Sequence, residues 1–220
     1  MRVLLFGATG MVGQAVLREC LLDPAIDTVR TVGRSPSPIQ HAKLSQIVQA
    51  DLFDYSAIES DLSGFDACFF CVGISSTGLA EAEYERLTYT LTLAAAETLA
   101  RLNPAMTFVY VSGAGTDSSE KGRVMWARIK GRIENALLRL PFRAAYMFRP
   151  AVIQPLHGER SRTAAYRVGY ALTRPALPLL RRLFPRYFLT TEEIGRAMIR
   201  VARDGAPKRI LESWDIRQLA

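Results

Sequence analysis

In GATGMVG, glycines stand at positions 7, 10 and 13, directly after the apolar run 2–6 and ahead of the helical pattern MVGQAVLRECLL. Glycine admits positive φ and lets backbone amides approach an anion with no Cβ in the way. A helix that starts straight after the loop adds free N–H groups and the positive end of its dipole. Strand, glycine turn and helix together suit a dinucleotide diphosphate, with Gly7, Thr9, Gly10, Met11, Val12 and Gly13 as its contacts. A second pair with chemical potential is Trp126 and Lys130 in VMWARIKG. Four residues of helix separate them, so ring and ammonium share a face. An ammonium can hold hydroxyls or exchange a proton, whereas an indole N–H only donates a hydrogen bond.

The second strand decides which dinucleotide fits. A carboxylate usually meets the ribose where there is no 2′-phosphate, but this strand ends in Gly33, Arg34 and Ser35 with no acid at its tip. A guanidinium grips a phosphate through paired hydrogen bonds, and Ser35 can add another. At ~4 Å and an effective dielectric near 20, such a charge pair is worth about 4 kcal/mol before desolvation. NADP(H) is therefore expected over NAD(H). Asp51 and Leu52, after the third strand, are candidates for the adenine end, although Asp51 equally suits a turn. Val72 and Gly73, at the end of the fourth strand, are further candidates for cofactor contact.

Strands are expected at 2–6, 28–34, 46–51, 66–73, 106–113 and 143–150. Helices are expected at 11–22, 80–102 and 122–140, and a last one starts near TTEEIGRAMI. Thr190 or Thr191 suits its cap, Glu192 and Glu193 its positive end, and Gly205 its stop. RILES adds a final short strand. This alternation predicts an α/β protein with a doubly wound parallel sheet of Rossmann type. It reads as one domain over 1–220, with a small irregular cap at about 155–189.

Composition narrows the classes. The chain has 220 residues, 49% hydrophobic and 22% charged, which is ordinary for a globular domain that needs no staples. No run reaches the roughly 18 apolar residues of a membrane span, and MRVLLFGATG does not read as a signal peptide. A cytoplasmic location is expected. Cys68 and Cys71 spell C-x-x-C, but in a strand they point to opposite faces, which suits core residues and not a redox pair. His41 and His157 are isolated, so no metal site is expected. Residues 1–120 carry 7 basic and 14 acidic side chains, and residues 121–220 carry 21 and 7.

Taken in order, GATGMVG, GR after the second strand, CVG after the fourth, YVSGAG after the fifth, Lys130 and FRPAVI resemble the short-chain dehydrogenase/reductase family. The likeness is to its extended or atypical branch, with the NAD(P)-dependent epimerase-like and NmrA-like proteins, and runs from Met1 to about Ala202. Within that branch SGAG…KGRIENAL…FRPAVI is similar to the small Tat-interacting oxidoreductase group. The resemblance implies that Ser112 is the catalytic serine, bonded to the substrate oxygen. It implies that Lys130 holds the nicotinamide ribose and tunes a tyrosine four residues earlier. It also implies that Pro150, Ala151 and Val152 meet the nicotinamide beside Arg149. Position 126, however, is Trp and not Tyr.

Two functions follow. One is an NADP(H)-dependent oxidoreductase for a small carbonyl or alcohol, with the proton carried by Ser112, Lys130, a water or another tyrosine. The other is an NADP(H)-binding redox sensor or regulator without turnover. In the extended family the cap supplies substrate contacts. Its arginines (Arg160, Arg162, Arg167, Arg174, Arg181, Arg182, Arg186) suit solvent or an anionic substrate. PLLRRLFPRYF alternates apolar and basic residues, as a segment on an acidic membrane surface would. No nucleic-acid reading motif accompanies the charge, so no nucleic-acid partner is expected. Family dimers often pair the helices that here would be 80–102 and 122–140, so the resemblance offers a homodimer, while the sequence itself leaves the oligomeric state open.

Overall fold

Along the first strand every residue from Val3 to Phe6 is buried, as a sheet covered on both faces requires. In the computed structural model, residues 1–159 and 186–220 are described. The chain runs β1 (Arg2–Phe6), α1 (Met11–Leu22), β2 (Thr28–Gly33), β3 (Leu44–Val48), β4 (Ala67–Phe70) and α2 (Glu81–Glu85). A π turn (Arg86–Thr90) leads into α3 (Leu91–Leu102), followed by β5 (Thr107–Val111), α4 (Met125–Arg139), β6 (Ala144–Arg149) and β7 (Val152–Gln154). After the cap come β8 (Phe188–Thr190), α5 (Thr191–Asp204), β9 (Ile210–Glu212) and α6 (Ser213–Leu219).

The main sheet is parallel in the order β3-β2-β1-β4-β5-β6-β9, and β7 and β8 form a separate parallel pair. Alternation along each strand feeds two cores. Val3, Leu5, Phe69, Val109 and Phe148 pack with Val16 and Leu17 of α1 and Ile194 and Met198 of α5. Leu4, Phe6, Phe70, Phe108 and Tyr110 pack with Leu99 of α3 and Ile133 and Leu137 of α4. On the second face the rings of Phe6, Phe70 and Phe108 follow one another across the strands, 5.3 and 5.9 Å apart. Cys68 belongs to this core while Cys71 packs against the other, and both are free thiols.

The doubly wound parallel sheet is as expected, with local corrections. The third strand is Leu44–Val48 and not 46–51, because its ladder is set by β2, which ends at Gly33 opposite Val48. The fourth strand stops at Phe70, and the chain turns out toward the crevice from Cys71. The helix expected over 80–102 carries a π turn where one extra residue enters a helical circuit. The last helix has the expected cap: Thr190 Oγ1 accepts the Glu193 N–H at 3.0 Å, and the Glu193 carboxylate accepts the Thr190 N–H at 2.7 Å. Gly205 closes the helix at φ +79°. Of the cap arginines only Arg186 is among the described residues, stacked over the Trp214 ring at 5.9 Å. The other six lie outside them.

Candidate functional site

The chain steps from β1 outward to β2 and β3, then returns to β4 on the other side of β1. The connections therefore diverge at the ends of β1 and β4, which opens a crevice there. Two glycines make the turn compact. Gly7 has φ +82°, and a Cβ on it would sit 2.7 Å from the Cys71 carbonyl; a Cβ on Gly13 would sit 2.0 Å from the Gly7 oxygen. The other two leave room. A Cβ on Gly10 would touch only the Gly7 oxygen, at 3.4 Å, and one on Gly73 would meet nothing within 4 Å. Gly10 is also the N-cap of α1, with no side-chain cap and no acid in the first turn. The helix thus presents its first amides and its positive end to open space. These residues fit a diphosphate.

The crevice widens into a cavity of about 660 Å³ whose wall includes Gly10, Met11, Val12, Val72, Gly73, Tyr84, Ser112, Trp126, Lys130, Pro150 and Ala151. A second cavity, of about 360 Å³, lies among α1, α5 and α6 and shares no residue with it. Trp126 and Lys130 reach the wall from the first turns of α4. That helix is held by the preceding loop: the Asp117 N–H donates to the Ala127 carbonyl at 3.0 Å. The Asp117 carbonyl lies where a Cβ on Gly131 would be, 1.7 Å away. The glycine after Lys130 is what allows that approach. Trp126 is half-buried and packs on the core beside Gly115.

Lys130 Nζ donates to the Ser112 carbonyl. Removal from water disfavours the ammonium and lowers its pKa to about 8, with Glu134 pulling the other way. Glu134, one turn further along α4, is fully buried. It pairs with Arg149 through Nε at 3.0 Å and through Nη2. It also accepts the Ser112 hydroxyl at 2.5 Å. Arg149 reaches on to Ser118 Oγ at 2.5 Å and Glu212 Oε1 at 3.3 Å.

The structure brings together much of the expected set. Gly10, Met11, Val12, Val72, Gly73, Ser112, Lys130, Pro150 and Ala151 share the cavity wall, and Gly7, Thr9 and Gly13 form the turn behind it. Arg34 and Ser35 are exposed just past β2, whose register with β1 sets Val32 opposite Phe6. They therefore stand beside the glycine turn but outside the cavity wall. Asp51, Leu52, Val152 and the Ser112 hydroxyl are placed apart from this set. Asp51 lies three residues past β3, exposed, and its carboxylate accepts the Phe53 N–H at 2.8 Å, the turn role that its sequence equally suited; the Leu52 side chain is core. Val152 is turned from the cavity because β7 alternates, and Ile153 lines the wall instead. The Ser112 hydroxyl faces Glu134 and the Phe148 carbonyl, both acceptors, so its one proton is engaged inside the protein.

Glu134 and Tyr84 are residues the sequence reading missed. Glu134 is detectable as a carboxylate on the buried face of a helix, four residues after Lys130. Tyr84 carries no such local sign. Among the described residues no cluster of metal-ligating side chains occurs and no helix is long and apolar enough to cross a membrane.

The sequence profile of a family described as NAD(P)H-binding matches residues 7–139. The chain is 28% identical over 211 residues to "Protein FMP52-2, mitochondrial" of Scheffersomyces stipitis, covering 93% of this chain and 88% of that protein. It is 30% identical over 158 residues to "Protein fmp52, mitochondrial" of Emericella nidulans, covering 69% and 66%. Among solved structures it resembles WbmF of Bordetella bronchiseptica in complex with NAD+ and UDP, at TM-score 0.70 and 16% identity over 99% of this chain and 76% of that one. It also resembles a short chain dehydrogenase family protein of Francisella tularensis, at TM-score 0.64 and 17% identity over 93% and 91%. The fold is that of short-chain dehydrogenase/reductase and epimerase-like proteins. The cytoplasmic location expected above is corrected by the fungal relatives, which are named as mitochondrial. Free cysteines and the lack of a long apolar run do not separate the cytoplasm from other compartments that keep thiols reduced.

Proposed function

The chain belongs to the NAD(P)H-binding family, and on that footing we propose that it is an NADP(H)-dependent oxidoreductase acting on a small carbonyl or alcohol. The observation that carries this reading is the single cleft with the uncapped α1 N-terminus at one end and Lys130 with Trp126 at the other. The amides of Met11, Val12 and Gly13 would hold the diphosphate. Arg34 and Ser35, exposed beside the turn, would hold a 2′-phosphate, which supports NADP(H) over NAD(H). Lys130 would hold the nicotinamide ribose, and Pro150 and Ala151 would line the nicotinamide.

The bound nicotinamide supplies or accepts a hydride at the substrate carbon. In reduction the substrate oxygen must gain a proton, and Trp126 cannot give one. Lys130, with its pKa near 8, exchanges protons close to neutral pH. Tyr84 is the phenol that, among the described residues, lines the same cavity. Ser112 acts here through its carbonyl, which holds the lysine, rather than through its hydroxyl.

A second reading, cofactor binding without turnover, is favoured by that same pairing: Trp replaces Tyr at 126 and the Ser112 hydroxyl is engaged. The test is a fluorescence titration of cofactor-free protein with NADPH and with NADH, followed by turnover of a panel of carbonyls by wild type and Tyr84→Phe. Tight NADPH binding, weaker NADH binding and turnover reduced in Tyr84→Phe support the oxidoreductase. Binding without turnover on any carbonyl supports the second reading. No binding of either nucleotide removes both.

A further inference from the structure

A carboxylate with no exposure to water must be fully partnered to be tolerated. Glu134 is such a group, and its partners come from the strand ends that close the cleft. Arg149 reaches it from the end of β6, and the Ser112 hydroxyl from the end of β5. The carbonyl of that same Ser112 receives the Lys130 ammonium. Helix α4 therefore holds Ser112 twice, through Glu134 at the hydroxyl and through Lys130 at the carbonyl. Arg149 extends the grip to Ser118 and Glu212. An ion pair kept for stability alone has no need to meet the cleft, and apolar residues of equal volume often replace one without loss. This one joins the two strand ends at the point where Lys130 is anchored.

We propose that Glu134 is a positioning residue of the site, which grips Ser112 and Arg149 together and so fixes the carbonyl against which the Lys130 ammonium is set. The inference takes its purpose from the cofactor cleft proposed above. The charge of Glu134 also favours the ammonium, against the burial that disfavours it. Cys71 after β4 and Tyr84 on α2 share the cavity wall with Lys130, Tyr110 on β5 interacts with Tyr84 and Glu134, and Arg149 on β6 is paired with Glu134.

The experiment is the pH dependence of Lys130 acetylation by acetic anhydride, followed by peptide mass spectrometry on cofactor-free wild type, Glu134→Gln, Glu134→Asp and Ser112→Ala. Wild type is expected to show a midpoint near pH 8. Glu134→Gln keeps the shape and drops the charge, so its midpoint should fall by about one unit, a tenfold change in proton affinity. Glu134→Asp should restore most of that fall. Ser112→Ala leaves the ion pair whole and decides the matter if Glu134→Gln does not fold. With its carbonyl no longer pinned, Lys130 should acetylate several-fold faster above the midpoint. An unchanged midpoint in folded Glu134→Gln would overturn the proposal, as would a wild-type labelling rate in Ser112→Ala. A lower melting temperature with unaltered Lys130 chemistry would mean that Glu134 is merely structural. Labelling uses no cofactor, so a failure of wild type to bind NADPH would sink the cleft reading and leave this result standing.

Discussion

A Cβ on Gly13 would lie 2.0 Å from the carbonyl oxygen of Gly7, so the start of α1 and the end of the β1 turn are in backbone contact. Gly10, between them, has only an ordinary contact at 3.4 Å and a β-region φ of −84°. The two glycines should therefore fail differently. Gly13→Ala should cost about 3 kcal/mol or more through overpacking that neither backbone can relieve. Gly10→Ala should stay within about 1 kcal/mol of wild type, yet its methyl points into the space proposed for the diphosphate. Its NADPH Kd should rise at least about tenfold. Chemical denaturation and nucleotide titration on both variants check this; a Gly10→Ala protein that binds like wild type would move the diphosphate elsewhere.

Arg34 makes no hydrogen bond or ion pair to other described residues, and it stands exposed beside that turn. A charged hydrogen bond to a phosphate is worth roughly 1.5–3 kcal/mol. Arg34→Ala should then weaken NADPH by about 10- to 100-fold and leave NADH within about twofold. Equal losses for both nucleotides would show that Arg34 does not read the 2′-phosphate.

The lowered pKa of Lys130 gives a pH window with a definite sign. Below about 8 the ammonium is charged, and above it the proton is lost. A cofactor rich in phosphate and hydroxyl oxygens binds the charged form better, so NADPH affinity should be full at pH 6–7 and decline as pH rises through about 8. Lys130→Ala should bind about tenfold more weakly and lose that pH dependence. Trp126→Tyr restores a phenol one turn from the lysine, and carbonyl reduction should rise by about tenfold or more, given the usual gain from a positioned acid. Calorimetry across pH and steady-state rates report these outcomes. A flat pH profile in wild type would separate Lys130 from the cofactor.

Thr190 acts at a distance from all this, as half of a reciprocal cap on α5. Thr190→Ala should lower stability by about 1 kcal/mol, or roughly 2–4 °C in Tm, with NADPH binding intact. A thermal melt run beside a titration tests both parts.

What the amino-acid order determined by itself is whatever neighbouring residues encode. Short continuous apolar runs between helical patterns set the parallel strands, GATGMVG set the turn between β1 and α1, and TTEE set the cap of α5. The four-residue spacing of Trp126 and Lys130 set them on one wall. Each follows from a period or a cap that spans a few residues. Where strands begin and end was legible only in part, since β3 is cut short by its partner β2 and not by its own composition.

Only the tertiary structure decided how the side chains at the strand ends are used. Asp51 takes its own turn amide, Ile153 and not Val152 enters the wall, and the Ser112 hydroxyl goes to Glu134, 22 residues away. Tyr84 arrives at the same cavity from a helix remote in sequence. Such assignments depend on which acceptor lies across a packed interface, and no local pattern records that. A buried carboxylate such as Glu134 must find its partners wherever the fold brings them, here Arg149 from a neighbouring strand. The chain order specifies the frame of the cleft, and the packing of α4 on the ends of β5 and β6 specifies its chemistry.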